Sequence, residues 1–537
     1  MYFPTSSMLH IWEAISGQFP VSSLSPQTPQ LPPHHSIWDH IVPSANLQFH
    51  PCYDTFECAR LAVPLNWNNA SDSEVAVALV KIPAKVDVSD PRYGGSVLIN
   101  PGIYYARILH NGWHGNSKSG FSGGPGGSGV NLARLHGKNI QTIIDSPLSP
   151  DDPESKSEKF FDIVAFDPRG VGFTTPPFTC FADSQQRLLW QIASATDGLP
   201  GSSNMAFSRT WARKKALADV CDKVGDERIS TQMNTPVVAM DLAAIVEALA
   251  VWTEERTGNC HHESNKLQYW GFSYGTLLGE TFASMYPHLV GRLVLDGVVD
   301  SDLHYAGTFD RDIYDADAVM ERFSVYCHRA GPLKCPLFSE KGPEYIQSSL
   351  DTMVAYSKNT TKSVVSAHGP EIVTYNDIQR IIRDSLYQPF KEFEGLAHAL
   401  YNLANGDGSI IANRKQSSSL FFEPTDYAEE TVGAISCTDG LDQTNMTKED
   451  ARKMSQRFPG SGLIEQVSEG HLSLSTPSPC TAKAVRAYFQ NGTLPAHGTL
   501  CQVYDRPFGL PGEREKPLQK GDDELLKALR SIAGQMW

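Results

Sequence analysis

Short apolar runs and stretches of helical spacing alternate along the first 300 residues. Residues 73–86, SEVAVALVKIPAKV, alternate with period two and are rich in β-branched side chains, which predicts a strand. Residues 95–100 and 160–167 are short apolar runs that end in Pro101-Gly102 and Pro168-Arg169-Gly170. They predict buried parallel strands meeting loops at their C-terminal ends. Residues 267–271 and 292–297 repeat the pattern. Between them, Thr235-Pro236 opens PVVAMDLAAIVEALAVW, with a capping threonine, proline at the first helical position and apolar residues at helical spacing. Buried strands alternating with helices imply a parallel sheet covered on both faces, the α/β class.

After Asp300 the pattern changes. Residues 301–430 predict helices (DADAVMERFSVYC, EYIQSSLDTMVAYS, YNDIQRIIRDSLY, LAHALYNLA) without clear buried strands, as expected of a helical lid over the sheet's carboxyl edge. Strand-like spacing resumes at residues 463–467, just before Glu469-Gly470-His471. The last stretch, GDDELLKALRSIAGQMW, predicts an amphipathic helix with acids in its first turn. The expected organisation is a disordered leader over 1–36, a core over 37–300, a helical lid over 301–430, and the rest of the core over 431–537.

Composition narrows the partners. A globular 41% hydrophobic content supplies a core. A net charge of −15 repels phosphate backbones and anionic lipid, so neither nucleic acid nor membrane is expected as a partner. The chain is expected to lack a run of the ~20 apolar residues that span a bilayer. Ten cysteines include the close couples Cys52/Cys58, Cys327/Cys335 and Cys480/Cys501, which favour disulfides and an oxidising compartment. No CxxC pair suits zinc, so no metal or other cofactor is expected. Sequons at Asn69, Asn359, Asn445 and Asn491 also point to secretion, whereas residues 1–35 lack the apolar run of a signal peptide. The oligomeric state has no signature.

The chemistry centres on Gly271-Phe272-Ser273-Tyr274-Gly275. A bare G-x-S-x-G arises by composition in roughly one chain in five of this length. Here it follows a strand and opens a helix, the context in which the turn lifts a serine hydroxyl off the sheet as a nucleophile. The Tyr274 N–H then donates to the developing oxyanion, with a second donor from an early Gly-rich loop, Gly123 to Gly129. That loop lacks the spacing of a phosphate or dinucleotide site. The base should be a late histidine, and His471 is best placed. His261, His262, His304, His328, His368, His398 and His497 fall in loop or lid sequence and are expected to be solvated.

Four stretches together carry a resemblance: HPCYDTFECARLAVPLNW, FDIVAFDPRGVG, GFSYGTLLGETFASMYPHLVGRLVLDGVVD and EGHLSLSTPSPCTAKAVRAYFQNGTLPAHGTLC. Over about 37–537 the chain resembles the tripeptidyl aminopeptidase-like α/β-hydrolases, relatives of prolyl aminopeptidase. The resemblance implies an α/β-hydrolase fold and a secreted-type serine exopeptidase acting at free N-termini. It implies Ser273 as nucleophile, His471 as base, and the N–H groups of Gly124 and Tyr274 as the oxyanion hole.

Two departures stand out. The family's continuous Asn-Pro-Gly-Gly-Pro-Gly-Gly-Ser-Gly is interrupted after Gly102 by residues 103–123, which read as an intron translated in frame. The D-P-V-T-P-like turn that carries the family's acid is missing. Asp442 lies at nearly the right spacing from His471 and is the first candidate acid, Asp439 the second. Asp296 or Asp300 could reach the histidine from a neighbouring strand. Substrates expected are peptides, or small-molecule esters or amides if the chain is instead an esterase or thioesterase. A chain without a working acid would be a catalytically impaired member of the fold.

Overall fold

The computed structural model describes residues 37–69, 73–102, 125–224, 227–258, 265–307, 315–419, 428–440, 450–512 and 522–535. Contacts divide the chain into 1–40 and 41–537. Of the first unit only one 3₁₀ turn, Ile37–His40, is described, and the leader over 1–36 lies outside the described residues.

The second unit is built on a seven-stranded sheet ordered β1-β2-β3-β5-β4-β6-β7. The four apolar runs become β4 (Tyr93–Asn100), β5 (Phe160–Phe166), β6 (Leu267–Phe272) and β7 (Val290–Asp296), paired in parallel. The sheet continues antiparallel through β3 (Glu74–Ile82), β2 (Phe56–Pro64) and β1 (His50–Cys52). Every residue of β3 after Glu74 is buried. The period-two signal there is large against small, valine with alanine, and both faces are covered rather than one solvated.

Helices clothe both faces. Thr235–Thr257 and Tyr274–Met285 bury Leu242, Ile245, Leu277 and Phe282 in one cluster with Leu98 and Val164 of the sheet. The other face is covered by Lys138–Ile144, Pro479–Asn491 and Asp522–Gln535, with Phe489 against Phe161 and Trp270. Thr235–Thr257 is by length and apolarity able to span a membrane, contrary to the expectation that no segment would be. Its apolar residues are used in the core instead. The cap of this helix is Asn234, whose side chain accepts from the Val237 N–H, and not Thr235.

The stretch 301–430 forms the expected helices Ala316–Ala330, Pro343–Ser357, Tyr375–Tyr387 and Pro389–Ala404. It also forms a hairpin, β8 (Lys362–Ser366) with β9 (Gly369–Val373), which the helical reading passed over. These elements have their own core, in which Phe323, Phe393, Leu400 and Phe508 meet. The run before His471 is β10 (Ile464–Gln466), paired in parallel with β11 (Thr499–Cys501) in a separate small sheet. Disulfides join the three couples and also Cys180 to Cys221. Among the described residues Cys437 is free and exposed.

Candidate active site

Register brings three strand ends together: Asn100 of β4 lies opposite Gly271, and Phe272 of β6 opposite Asp296 of β7. The chain leaves β6 at Ser273, turns, and enters the helix Tyr274–Met285. Ser273 has φ 55° and ψ −126°, a region that costs a non-glycine residue ~1–3 kcal/mol and persists only where its surroundings hold it. They do so here. The Ser273 N–H donates to the Asp296 carbonyl at 2.9 Å, and its own carbonyl accepts from the Thr276 N–H at 2.8 Å and the Thr276 hydroxyl at 2.6 Å. The flanking glycines are sterically required. A Cβ on Gly271 would stand 2.4 Å from the Gly275 carbonyl oxygen, and one on Gly275 2.6 Å from that of Asn100.

His471 meets this serine. Its Nε2 lies 2.8 Å from Ser273 Oγ, the contact a base needs to take the hydroxyl proton. The histidine is held from the helical region: its N–H donates to the Tyr387 carbonyl at 3.2 Å, and the Tyr387 ring packs edge-on at 5.1 Å. Nearby, Glu469 accepts from the Tyr326 hydroxyl at 2.6 Å and lies 3.4 Å from Arg322. Removal from water pushes the His471 ring down to about 4, so it is neutral at pH 7 and free to accept a proton.

Tyr274 opens the helix behind the serine. Gly102 is pressed against it, since a Cβ there would stand 2.5 Å from the Tyr274 nitrogen. The Gly102 N–H itself donates back to Asn100 Oδ1 at 3.1 Å. Gly124 and the suspected insertion 103–123 lie outside the described residues. The loop resumes at Pro125, and Ser128 donates to Asp167 at 2.7 Å while capping the turn at Gly129. Asp167 also accepts from the Val130 and Phe173 N–H groups at 3.0 and 2.8 Å. Burial pushes it up to about 6.

Asp442 lies outside the described residues. Two of the other candidate acids are engaged elsewhere. Asp439 accepts from the Thr235 N–H and hydroxyl and lies 3.1 Å from His304 Nε2, so the histidine it meets is not His471. Asp300 caps the helix Ser301–Tyr305 and pairs with Lys453 at 2.8 Å. Asp296 comes nearest in chain terms: it accepts from the Ser473 N–H at 2.8 Å and hydroxyl at 2.6 Å, two residues beyond His471. His304 is buried, not solvated. Its hydrogen-bond partner Asp439 lies 135 residues away, so no local pattern marks it. The acids Asp315, Asp317 and Glu321 are exposed, a solvated face. Asp310 and Asp312, like His261 and His262, lie outside the described residues.

A strained serine at the exit of a parallel strand, facing a histidine delivered from far along the chain, defines the α/β-hydrolase class. Within that class, residues 121–324, which include Ser273, match the family described as alpha/beta hydrolase fold. Residues 444–501, which include His471, match the family described as TAP-like protein. The chain is similar to serine protease Hip1 of Mycobacterium tuberculosis, 27% identical over 360 residues, 66% of this chain and 57% of that protein. It is similar to tripeptidyl aminopeptidase of Streptomyces lividans, 28% identical over 262 residues, 48% of this chain and 38% of that protein. The putative hydrolase YuaR of Escherichia coli K12 is 22% identical over 424 residues, 77% of this chain and 69% of that protein. The chain thus spans just over half of Hip1 and less of the aminopeptidase. The resemblance read from its motifs agrees with these matches.

Proposed function

We propose that this protein is a serine hydrolase that removes residues or short peptides from free N-termini through an acyl-enzyme. The observation that carries the reading is the 2.8 Å contact between His471 Nε2 and Ser273 Oγ on a strained elbow, in a chain whose relatives include a tripeptidyl aminopeptidase. Ser273 Oγ attacks the scissile carbonyl as His471 takes its proton, and the tetrahedral oxyanion forms against the Tyr274 N–H and that of Gly124. His471 then returns the proton to the leaving amine, and water repeats the sequence to release the acid. We assign the acid to Asp442, the candidate at the family's spacing from His471; Asp439 and Asp300 are committed to other partners, and the Asp296 carboxylate to the Ser473 N–H and hydroxyl.

The test compares tripeptide anilides bearing a free N-terminus, their N-acylated analogues, and p-nitrophenyl esters. Amine release from the free anilides alone is expected, with loss of ~10⁴ in kcat in Asp442→Asn. Hydrolysis of esters only would replace the peptidase reading with an esterase one. Four disulfides suit an oxidising compartment, and Asn69, Asn359 and Asn491 are exposed. The protein is therefore read as secreted and glycosylated. Endoglycosidase treatment of material from a secreting eukaryotic host should increase its mobility, and an unchanged band would remove the glycoprotein reading.

A further inference from the structure

The helix Ala428–Asp439 touches the candidate site at two places. Near its start, Thr431 Oγ1 stands 2.8 Å from where a Cβ on Gly126 would lie, against the Gly-rich loop. The neighbouring Glu430 accepts from the Cys180 N–H at 2.5 Å and the Arg187 guanidinium at 2.6 Å, which fixes that end. At the other end the buried Asp439 carboxylate accepts from the Thr235 N–H at 2.6 Å, the Thr235 hydroxyl at 2.7 Å and His304 Nε2 at 3.1 Å. The Thr235 hydroxyl also lies 2.5 Å from the Tyr274 hydroxyl. Proton counting fixes the direction of this chain. Thr235 has one hydroxyl proton and gives it to the carboxylate, which can only accept, so Tyr274 must donate to Thr235. Tyr274 is the residue whose N–H faces the oxyanion.

We propose that Thr235 and Asp439 are positioning residues for the oxyanion site: they anchor the Tyr274 side chain, and through it set the place of the Tyr274 N–H. The inference rests on the reading of Ser273 and Tyr274 given above. A fully buried carboxylate with three donors is costly to place and rigid once satisfied. The rigidity is delivered to a donor whose placement matters, because loss of an oxyanion donor costs ~10²–10³ in kcat. His304, packed 5.7 Å from the Tyr274 ring, supplies the third donor.

The experiment uses Thr235→Val, which keeps shape and removes the hydroxyl, Tyr274→Phe, which cuts the same bond from its other end, and Thr235→Ser, which restores the hydroxyl. Each is measured for kcat and KM, for inhibition by a peptide boronate, and for Ser273 labelling by a fluorophosphonate. Expected are a ~10- to 100-fold fall in kcat for the first two, KM within about twofold, and boronate affinity falling in step. The double variant should be no worse than either single one, and Thr235→Ser should recover most of the rate. Should Thr235→Val fail to fold, Tyr274→Phe carries the test alone. Unchanged kcat per labelled site, with only thermal stability lowered, overturns the inference and leaves the hydrolase reading intact. A wild-type protein neither labelled nor inhibited overturns both.

Discussion

Burial sets the working range of His471. Its ring is pushed down from the usual histidine value to about 4 because the charged form has lost its water. Only the neutral ring can take the Ser273 proton, so activity is lost as pH falls through the folded value. We expect the acid limb of kcat/KM near pH 4, where an ordinary histidine base would place it near 6.5. An acid limb at 6.5 or above would show that the imidazolium is stabilised by the assigned acid, Asp442, by more than desolvation disfavours it. The folded pKa is depressed, so this ring's contribution to stability is complete above the unfolded value and is lost as pH falls towards 4. Far-ultraviolet dichroism at each pH separates titration from unfolding. At this scale the sequence is legible where chemistry forces local geometry. Two glycines around Ser273 announce the elbow because a Cβ at either position collides with backbone. Asp439, His304 and Thr235 carry no such mark. Each is an ordinary residue until three segments, up to 204 positions apart, converge on one carboxylate.

The strands show the same division between local and remote causes. β4 to β7 follow from apolar runs closed by loop residues, since a strand covered on both faces needs no polar side and is recognised by its ends. The alternation in residues 74–82 locates β3 but does not report its environment, because valine against alanine repeats with the same period whether one face is covered or both. The start of Thr235–Thr257 is read one residue late. Threonine is a competent cap, yet Asn234 takes that role. This leaves the Thr235 N–H and hydroxyl for Asp439, which only the tertiary fold supplies. The β8–β9 hairpin escapes a helix-based reading because its strands are five residues each and lie among long helical stretches. The run before His471 does form a strand, but its partner is β11, which Cys480–Cys501 ties to the helix Pro479–Asn491, and not the main sheet. A three-residue strand contains too little pattern to name its neighbour.

Among the described residues, two packed cores have different duties at the site. One joins the sheet to the helices Thr235–Thr257 and Tyr274–Met285 on one face, behind Ser273; the other joins Phe323, Phe393, Leu400 and Phe508 in the helical region. The second core bears on catalysis through Tyr387, which closes the helix Tyr375–Tyr387 and takes the His471 N–H on its carbonyl. Serine and histidine are therefore held by separate packed bodies, and their 2.8 Å contact depends on both. Phe393 is fully buried, with Phe323 edge-on at 5.1 Å. Its replacement by alanine removes about 3–5 kcal/mol of packing by transfer and cavity terms. If the cores are separate cooperative units, that loss is local. Hydrogen exchange in Phe393→Ala should accelerate across Tyr375–Tyr387 and Pro389–Ala404, while amides of β4 to β6 keep their protection. Activity should fall with it, because a loosened Tyr387 lets His471 drift from Ser273, and a 1 Å misplacement costs roughly 100-fold. Equal loss of protection in sheet and helices would mean a single cooperative core. Unchanged kcat with the helical region exchanging freely would mean that His471 is held by its own loop, through the Asp296–Ser473 contacts, and needs no support from above.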